Sequence, residues 1–173
     1  MATREIEILP APVLRRKARK VTEFGSDLQS LIDDMVDTMR ATPGVGLAAP
    51  QIGVPLQVIV VEYREKKEDA EKQEPPKLYT VVNPEIVRYS GDSEVGTEGC
   101  LSIPGFVGDV ERPLEVTVKG LNRRGKPVKI KAGGWLARIF QHEVDHLNGI
   151  LFIDRAEKVW KPEESTGQVV PAD

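Results

Sequence analysis

Residues 133–148 read GGWLARIFQHEVDHLN, and this stretch organises the rest of the chain. Trp135, Leu136, Ile139, Phe140, Val144 and Leu147 recur at the spacing of one face of an α-helix, so a long helix is expected over Gly133–Asn148. Gly149 supplies its C-terminal stop. Within it, residues 142–146 form an H-E-x-x-H pattern. Side chains four apart share a helix face, so the imidazoles of His142 and His146 can point at one metal ion. Glu143 is set about 100° round the helix from His142. There its carboxylate can reach a water beside such an ion and act as a general base without ligating it. The same five residues also fit a plain amphipathic helix with two solvent-facing histidines.

A catalytic metal site needs about three protein ligands and an open position. The chain has no third histidine. Downstream of His146 stand Asp154, Glu157, Glu163 and Glu164, most of them in a polar stretch. Upstream stands the single thiol, Cys100, in the tight context EGCLS (98–102). A metal would hold it as thiolate; otherwise a lone cysteine reads as a small buried core residue. With one cysteine no intrachain disulfide is possible. A third segment, GVGLAAPQ (44–51), has two glycines and two alanines, a narrow wall that lets another backbone approach closely. Gln51 ends it as a neutral donor.

The remaining pattern is that of an α+β domain. Leu28, Leu31, Ile32, Met35, Val36 and Met39 predict a core-facing helix over Ser26–Arg40, opened by a Ser26/Gln29 capping box and ended by Pro43-Gly44. Pro10–Lys17 reads as a short helix or turn. Strands are expected at Gln57–Glu62, Tyr79–Val82, Glu85–Tyr89, Glu115–Lys119 and Val128–Lys131, with a hairpin turn at 122–125. The charged stretch Arg64–Lys77 reads as a solvated loop or hairpin tip. One domain over residues 1–156 is expected, followed by a loosely ordered polar tail at 157–173. Composition is ordinary, with 40% hydrophobic and 29% charged residues and a net charge of −3. That balance argues against direct nucleic-acid binding, and no apolar run suits a membrane span. The N-terminus lacks an apolar signal core, so a cytoplasmic protein or the mature form of an organelle protein is expected.

Taken together, GVGLAAPQ (44–51), EGCLS (98–102) and QHEVDH (141–146), continued by LNG, resemble the three ordered motifs of the peptide deformylase family. The resemblance spans roughly residues 5–155. It implies a compact single domain with small antiparallel or mixed sheets around a central metal-binding helix. It implies metal-dependent hydrolysis of the N-formyl group from the initiator methionine of nascent polypeptides, releasing formate. By matching position, Cys100, His142 and His146 are the metal ligands and Glu143 the general acid/base. Gln51 and the backbone N–H of Leu101 are then the oxyanion donors. Val45, Gly46, Glu98, Trp135 and Ile139 are expected to bind substrate, the peptide adding as a strand along Val45-Gly46. The family's usual physiological metal is Fe²⁺, with Zn²⁺, Ni²⁺ or Co²⁺ as substitutes. N-formyl-methionyl nascent peptides are the expected partners, together with the ribosome exit region. Asp145 is expected to support the site through Arg112. The sequence departs from the family at Val107, where some members carry Arg.

Three rivals remain at this point. A zinc metalloprotease would use the same helix with a downstream third ligand. A binding module would retain the fold without the chemistry. A Cys-His nucleophile would need a histidine free to act as base.

Overall fold

The computed structural model describes residues 2–64 and 75–162. Its helices are α1 (Ser26–Arg40), α2 (Gly134–Leu147) and the single turn α3 (Phe152–Arg155). Its strands are β1 (Gly46–Ala48), β2 (Val58–Tyr63), β3 (Lys77–Tyr89), β4 (Ser93–Gly99), β5 (Val107–Pro113), β6 (Glu115–Leu121), β7 (Pro127–Gly133) and β8 (Lys158–Trp160). Short 3-10 turns occupy Pro12–Arg15 and Ala49–Ile52. Every strand pairing is antiparallel, in a five-stranded sheet ordered β1-β2-β3-β6-β7 and a three-stranded sheet ordered β4-β5-β8.

The apolar run in β2 has a direct cause. Ile59 and Val61 pack towards α2, and Val58 and Val60 towards α1; all four are fully buried. A strand covered on both faces reads as continuously hydrophobic instead of alternating. Farther along the sheet only one face is covered. Val116, Val118 and Ala132 face Leu136, Ala137 and Phe140 of α2, while the odd-numbered residues between them turn outward. Helix α2 is thus the centre of the molecule. Its C-terminus closes as expected, with Gly149 at φ 72° and its N–H donating to the carbonyl of His146.

Several expectations need correction. The N-cap of α1 is Gly25, and Ser26 makes no side-chain cap bond. Gln29 reaches sideways instead, exchanging hydrogen bonds with Arg123 in the β6–β7 turn. A long-range contact has displaced a local one. The two strands expected at 79–82 and 85–89 are one bent strand, β3, with register shifts between Val82 and Glu85. Asn83 adopts φ 52° there and bonds both backbone polar groups of Val21. Residues 158–160, expected in a loose tail, pair with β5 as strand β8. The rest of the expected tail, from residue 163, lies outside the described residues, as do residues 65–74 of the charged stretch between β2 and β3. The hairpin turn at 122–125 stands as expected, with Asn122 Oδ1 accepting the N–H groups of Arg124 and Lys126.

Candidate metal centre

The i, i+4 spacing on α2 brings His142 and His146 side by side, with ring centroids 5.0 Å apart. The β4–β5 hairpin, crossing the same helix, delivers Cys100 from 42 residues upstream of His142. One ligand atom from each of Cys100, His142 and His146 lies within 4.8 Å of the others, and all three residues are buried. Cys100 Sγ stands 3.5 Å from His146 Nε2. Tetrahedral ligation at about 2.3 Å to sulfur and about 2.0–2.1 Å to nitrogen separates those two atoms by about 3.6 Å. The donor set therefore fits a single borderline or soft divalent cation. Among the described residues no downstream carboxylate joins the cluster. Asp154 is taken by Arg15 and the Leu151 N–H, while Glu163 and Glu164 lie outside the described residues.

The clustered side chains are held from behind. His142 Nδ1 lies 2.8 Å from Glu98 Oε1. A carboxylate there keeps the proton on Nδ1 and turns the Nε2 lone pair into the cluster. Glu98 was expected in the substrate pocket. Its side chain is instead 2% exposed and committed to the support of His142. Arg112 bonds it in a fork, Nε to Oε2 at 2.6 Å and Nη2 to Oε1 at 2.8 Å, and Arg138 Nη1 adds a third contact at 2.6 Å. Burial alone would push the Glu98 carboxyl up, but the hydrogen bonds and charges of Arg112 and His142 hold it well below the usual carboxylate range. Arg112 also reaches Asp145 Oδ2 at 3.0 Å, and Arg155 forks onto the same carboxylate. The expected Arg112–Asp145 contact is therefore present, inside a larger network.

Arg138, Arg155 and Ser102 were not expected in the site. One signal was available for Arg138: it precedes His142 by four, so an arginine shares the histidines' helix face in an otherwise apolar turn. Its guanidinium passes over Gly96, where a Cβ would stand 2.7 Å from Cζ, and stacks on Trp135 at 5.3 Å.

On the opposite side of the cluster, Gln51 is fully buried in the 3-10 turn after β1. Its Oε1 accepts the Ala48 N–H at 2.9 Å, which fixes the amide so that Nε2 faces Cys100 Sγ at 3.6 Å and Ser102 Oγ at 3.2 Å. Leu101 follows the sulfur-bearing residue directly in the chain. Glu143 is fully buried, and its carboxylate packs over the backbone of Gly46: a Cβ there would stand 2.6 Å from Oε2. Gly46→Ala must therefore displace that carboxylate. A fall in kcat of on the order of tenfold or more is expected, with metal content unchanged. Equal turnover in the two proteins would show that Glu143 does not need its position. Val45 and Trp135 are half-buried and Ile139 buried, all at the edge of the core around α2. β1 is the outer strand of its sheet, so among the described residues one of its backbone edges has no strand partner.

Comparison with known proteins adds an independent line. The family model described as Polypeptide deformylase matches residues 3–161. A peptide deformylase of Natranaerobius thermophilus is 49% identical over 165 residues, covering 95% of this chain and 99% of its own. The crystal structure of an Ehrlichia chaffeensis peptide deformylase in complex with actinonin superposes with a TM-score of 0.82 at 39% identity, covering 91% of each chain. A Met-Ala-Ser-bound class I type b peptide deformylase of Acinetobacter baumannii gives a TM-score of 0.79 at 38% identity, covering 88% of this chain and 99% of its own.

Proposed function

Because this chain belongs to the polypeptide deformylase family, we propose that Cys100, His142 and His146 hold the divalent metal with which it removes the formyl group from N-formyl-methionyl polypeptides. The observation that carries this reading is the convergence of the lone thiol with both imidazoles at ligand spacing. Fe²⁺ is the physiological ion, and Zn²⁺, Ni²⁺ or Co²⁺ can replace it in a preparation; a thiolate with two imidazoles suits any of these. When bound, such an ion polarises the formyl carbonyl and lowers the pKa of an adjacent water.

The chain's own residues do the rest. Glu143 accepts the proton of the attacking water as its oxygen bonds to the formyl carbon. Gln51 Nε2 and the Leu101 N–H donate to the oxyanion of the tetrahedral intermediate, each worth about 10²–10³ in rate by analogy with other acyl-transfer sites. Glu143 then delivers its proton to the amine nitrogen as the C–N bond breaks, which frees formate and the methionine amino group. The peptide adds as a strand on the open edge of β1 at Val45 and Gly46, through main-chain hydrogen bonds that ignore sequence. Trp135 and Ile139 contact the methionine side chain. A nascent-chain substrate fits an enzyme working near the ribosome exit region, in the cytoplasm or, as a mature organelle form, in an organelle that makes its own protein. No helix among the described residues is long and apolar enough to cross a membrane.

The test is anaerobic purification with metal analysis, followed by formate release from formyl-Met-Ala-Ser. One ion per chain and rapid release are expected, with both strongly reduced in Cys100→Ser. Full metal content and turnover in Cys100→Ser would overturn the ligand assignment. Cleavage of casein without formate release would instead favour a protease.

A further inference from the structure

Between Val116 and Lys131 the chain carries Lys119, Arg123, Arg124, Lys126, Lys129 and Lys131 and no acidic residue. These sixteen residues hold six of the 24 basic side chains and none of the 27 acidic ones, so they carry +6 while the remainder carries −9. They form β6, β7 and the turn between them. Strand alternation sorts them: Val116, Val118, Val128 and Ile130 pack towards α2, and Lys119, Lys129 and Lys131 are exposed on the other face.

Lys119 and Lys129 are direct cross-strand partners. Like charges placed opposite each other destabilise a sheet. One row along, Thr117 stands between Lys131 on β7 and Arg88 on β3. Arg88 and Lys131 border a shallow depression of about 370 Å³ that Ser90 and Thr117 also line, with Glu115 beside them. Glu85 is the neighbour of Lys119 on β3. Arginines elsewhere, such as Arg4, Arg40, Arg112 and Arg138, sit against carboxylates. Among the described residues no ion pair holds Lys119, Arg124, Lys126, Lys129 or Lys131. Lysines on an edge strand discourage edge-to-edge association, which accounts for Lys129 and Lys131 on β7. It does not account for the exposed Arg124 and Lys126 at the turn, where, among the described residues, only Arg123 is paired, with Asp33 of α1.

We propose that this outer face of β6 and β7 binds the phosphate backbone of RNA. Lysines whose backbone positions lie about 4.8 Å apart across strands and about 6.8 Å along them can match a polymer of closely spaced phosphates. Each phosphate it neutralises releases counterions. Exposed large hydrophobic residues, Val87 and Tyr89, flank Arg88 on β3, but none lies between 116 and 131, so the lysine-bearing strands themselves offer a membrane only charge. The face points away from α2, so RNA held there leaves the metal centre accessible. The chain's acidic total conceals this patch, because opposite charges elsewhere cancel it in the sum.

The test is fluorescence anisotropy of a fluorescein-labelled hairpin RNA over a series of KCl concentrations. The metal-loaded wild-type protein is compared with K119Q/K129Q/K131Q and with a control, R16Q/K17Q/K20Q, that removes three exposed cations from the N-terminal segment. Wild type is expected to bind with an affinity that falls steeply with salt. The first variant should lose on the order of tenfold to a hundredfold at low salt and show a slope smaller by about two to three, and the control should match wild type. Thermal melting of the first variant should stay close to wild type, since loss of the Lys119–Lys129 repulsion offsets loss of the cation facing Glu85, and formate release from a short formyl peptide should be unchanged. Absence of RNA binding by wild type at low salt, equal loss in both variants, or binding to phosphatidylglycerol vesicles but not to RNA would each overturn the proposal.

Discussion

Replacing Glu143 by Ala is expected to lower kcat by about two to four orders of magnitude while the protein keeps its metal. General acid–base groups contribute roughly that much when they are positioned in a closed site. Glu143 meets the condition: it is fully buried, it sits one residue from His142 on a rigid helix, and Gly46 leaves just enough room for its carboxylate. It is not one of the three clustered ligand residues, so metal content should not follow activity. Stability should not fall either, since removing a buried carboxylate relieves a desolvation cost and leaves a modest void. The measurement pairs kcat on formyl-Met-Ala-Ser with metal analysis of the same sample. Turnover within a few-fold of wild type would remove Glu143 from the reaction. Loss of the metal would make it a ligand instead.

The second large effect concerns stability and metal retention together. Glu98→Ala strips the shared carboxylate from Arg112 and Arg138, whose side chains are 3% and 7% exposed. Leaving buried charge uncompensated costs about 3–5 kcal/mol, a large part of a domain's total stability. It also frees the Nδ1 side of His142, and loss of such a support typically weakens metal affinity by about 10–100-fold. Arg112→Leu should reproduce part of the metal effect, because it loosens Glu98 and Asp145 at once. Unchanged metal content in both variants would dismiss the network as a support for the site.

Acidity separates the contributions. The folded-state carboxyl of Glu98 is held below its unfolded value of about 4.3. Its stabilising effect is therefore complete above that unfolded value and is lost as pH falls through the lower folded value. In urea titrations of the metal-free protein, the gap between wild type and Glu98→Gln should be full near neutrality and close in strong acid. A gap that widened with acid would contradict the sign.

How much of this was legible beforehand depended on the range of the interactions involved. α1 and the helix carrying His142 and His146 came from local periodicity, and the structure places them within about a residue of expectation. The capping box failed because Gln29 had a better partner 94 residues away, in Arg123. β1, β4, β5 and β8 were missed. They are short or interrupted by glycine and proline, and their sequences, GLA, SEVGTEG, VGDVERP and KVW, lack clean apolar–polar alternation. Such segments become strands only because partners elsewhere supply their hydrogen bonds.

The sequence by itself determined the chemistry on offer: two imidazoles one helical turn apart, a neighbouring carboxylate, one thiol and one small-residue wall. These follow from the 3.6-residue helical repeat and from composition, both of which are local. Tertiary structure decided how those groups meet. The β4–β5 hairpin brings Cys100 onto α2, and it turns Glu98 inward to serve His142 instead of outward to a substrate. Packing also recruits Arg138, whose place four residues before His142 was its one local signal, and Arg155, which no local pattern connects to the site. The reason is physical: ligation and buried ion pairing depend on distances of a few ångströms between groups far apart in the chain, and only packing sets those.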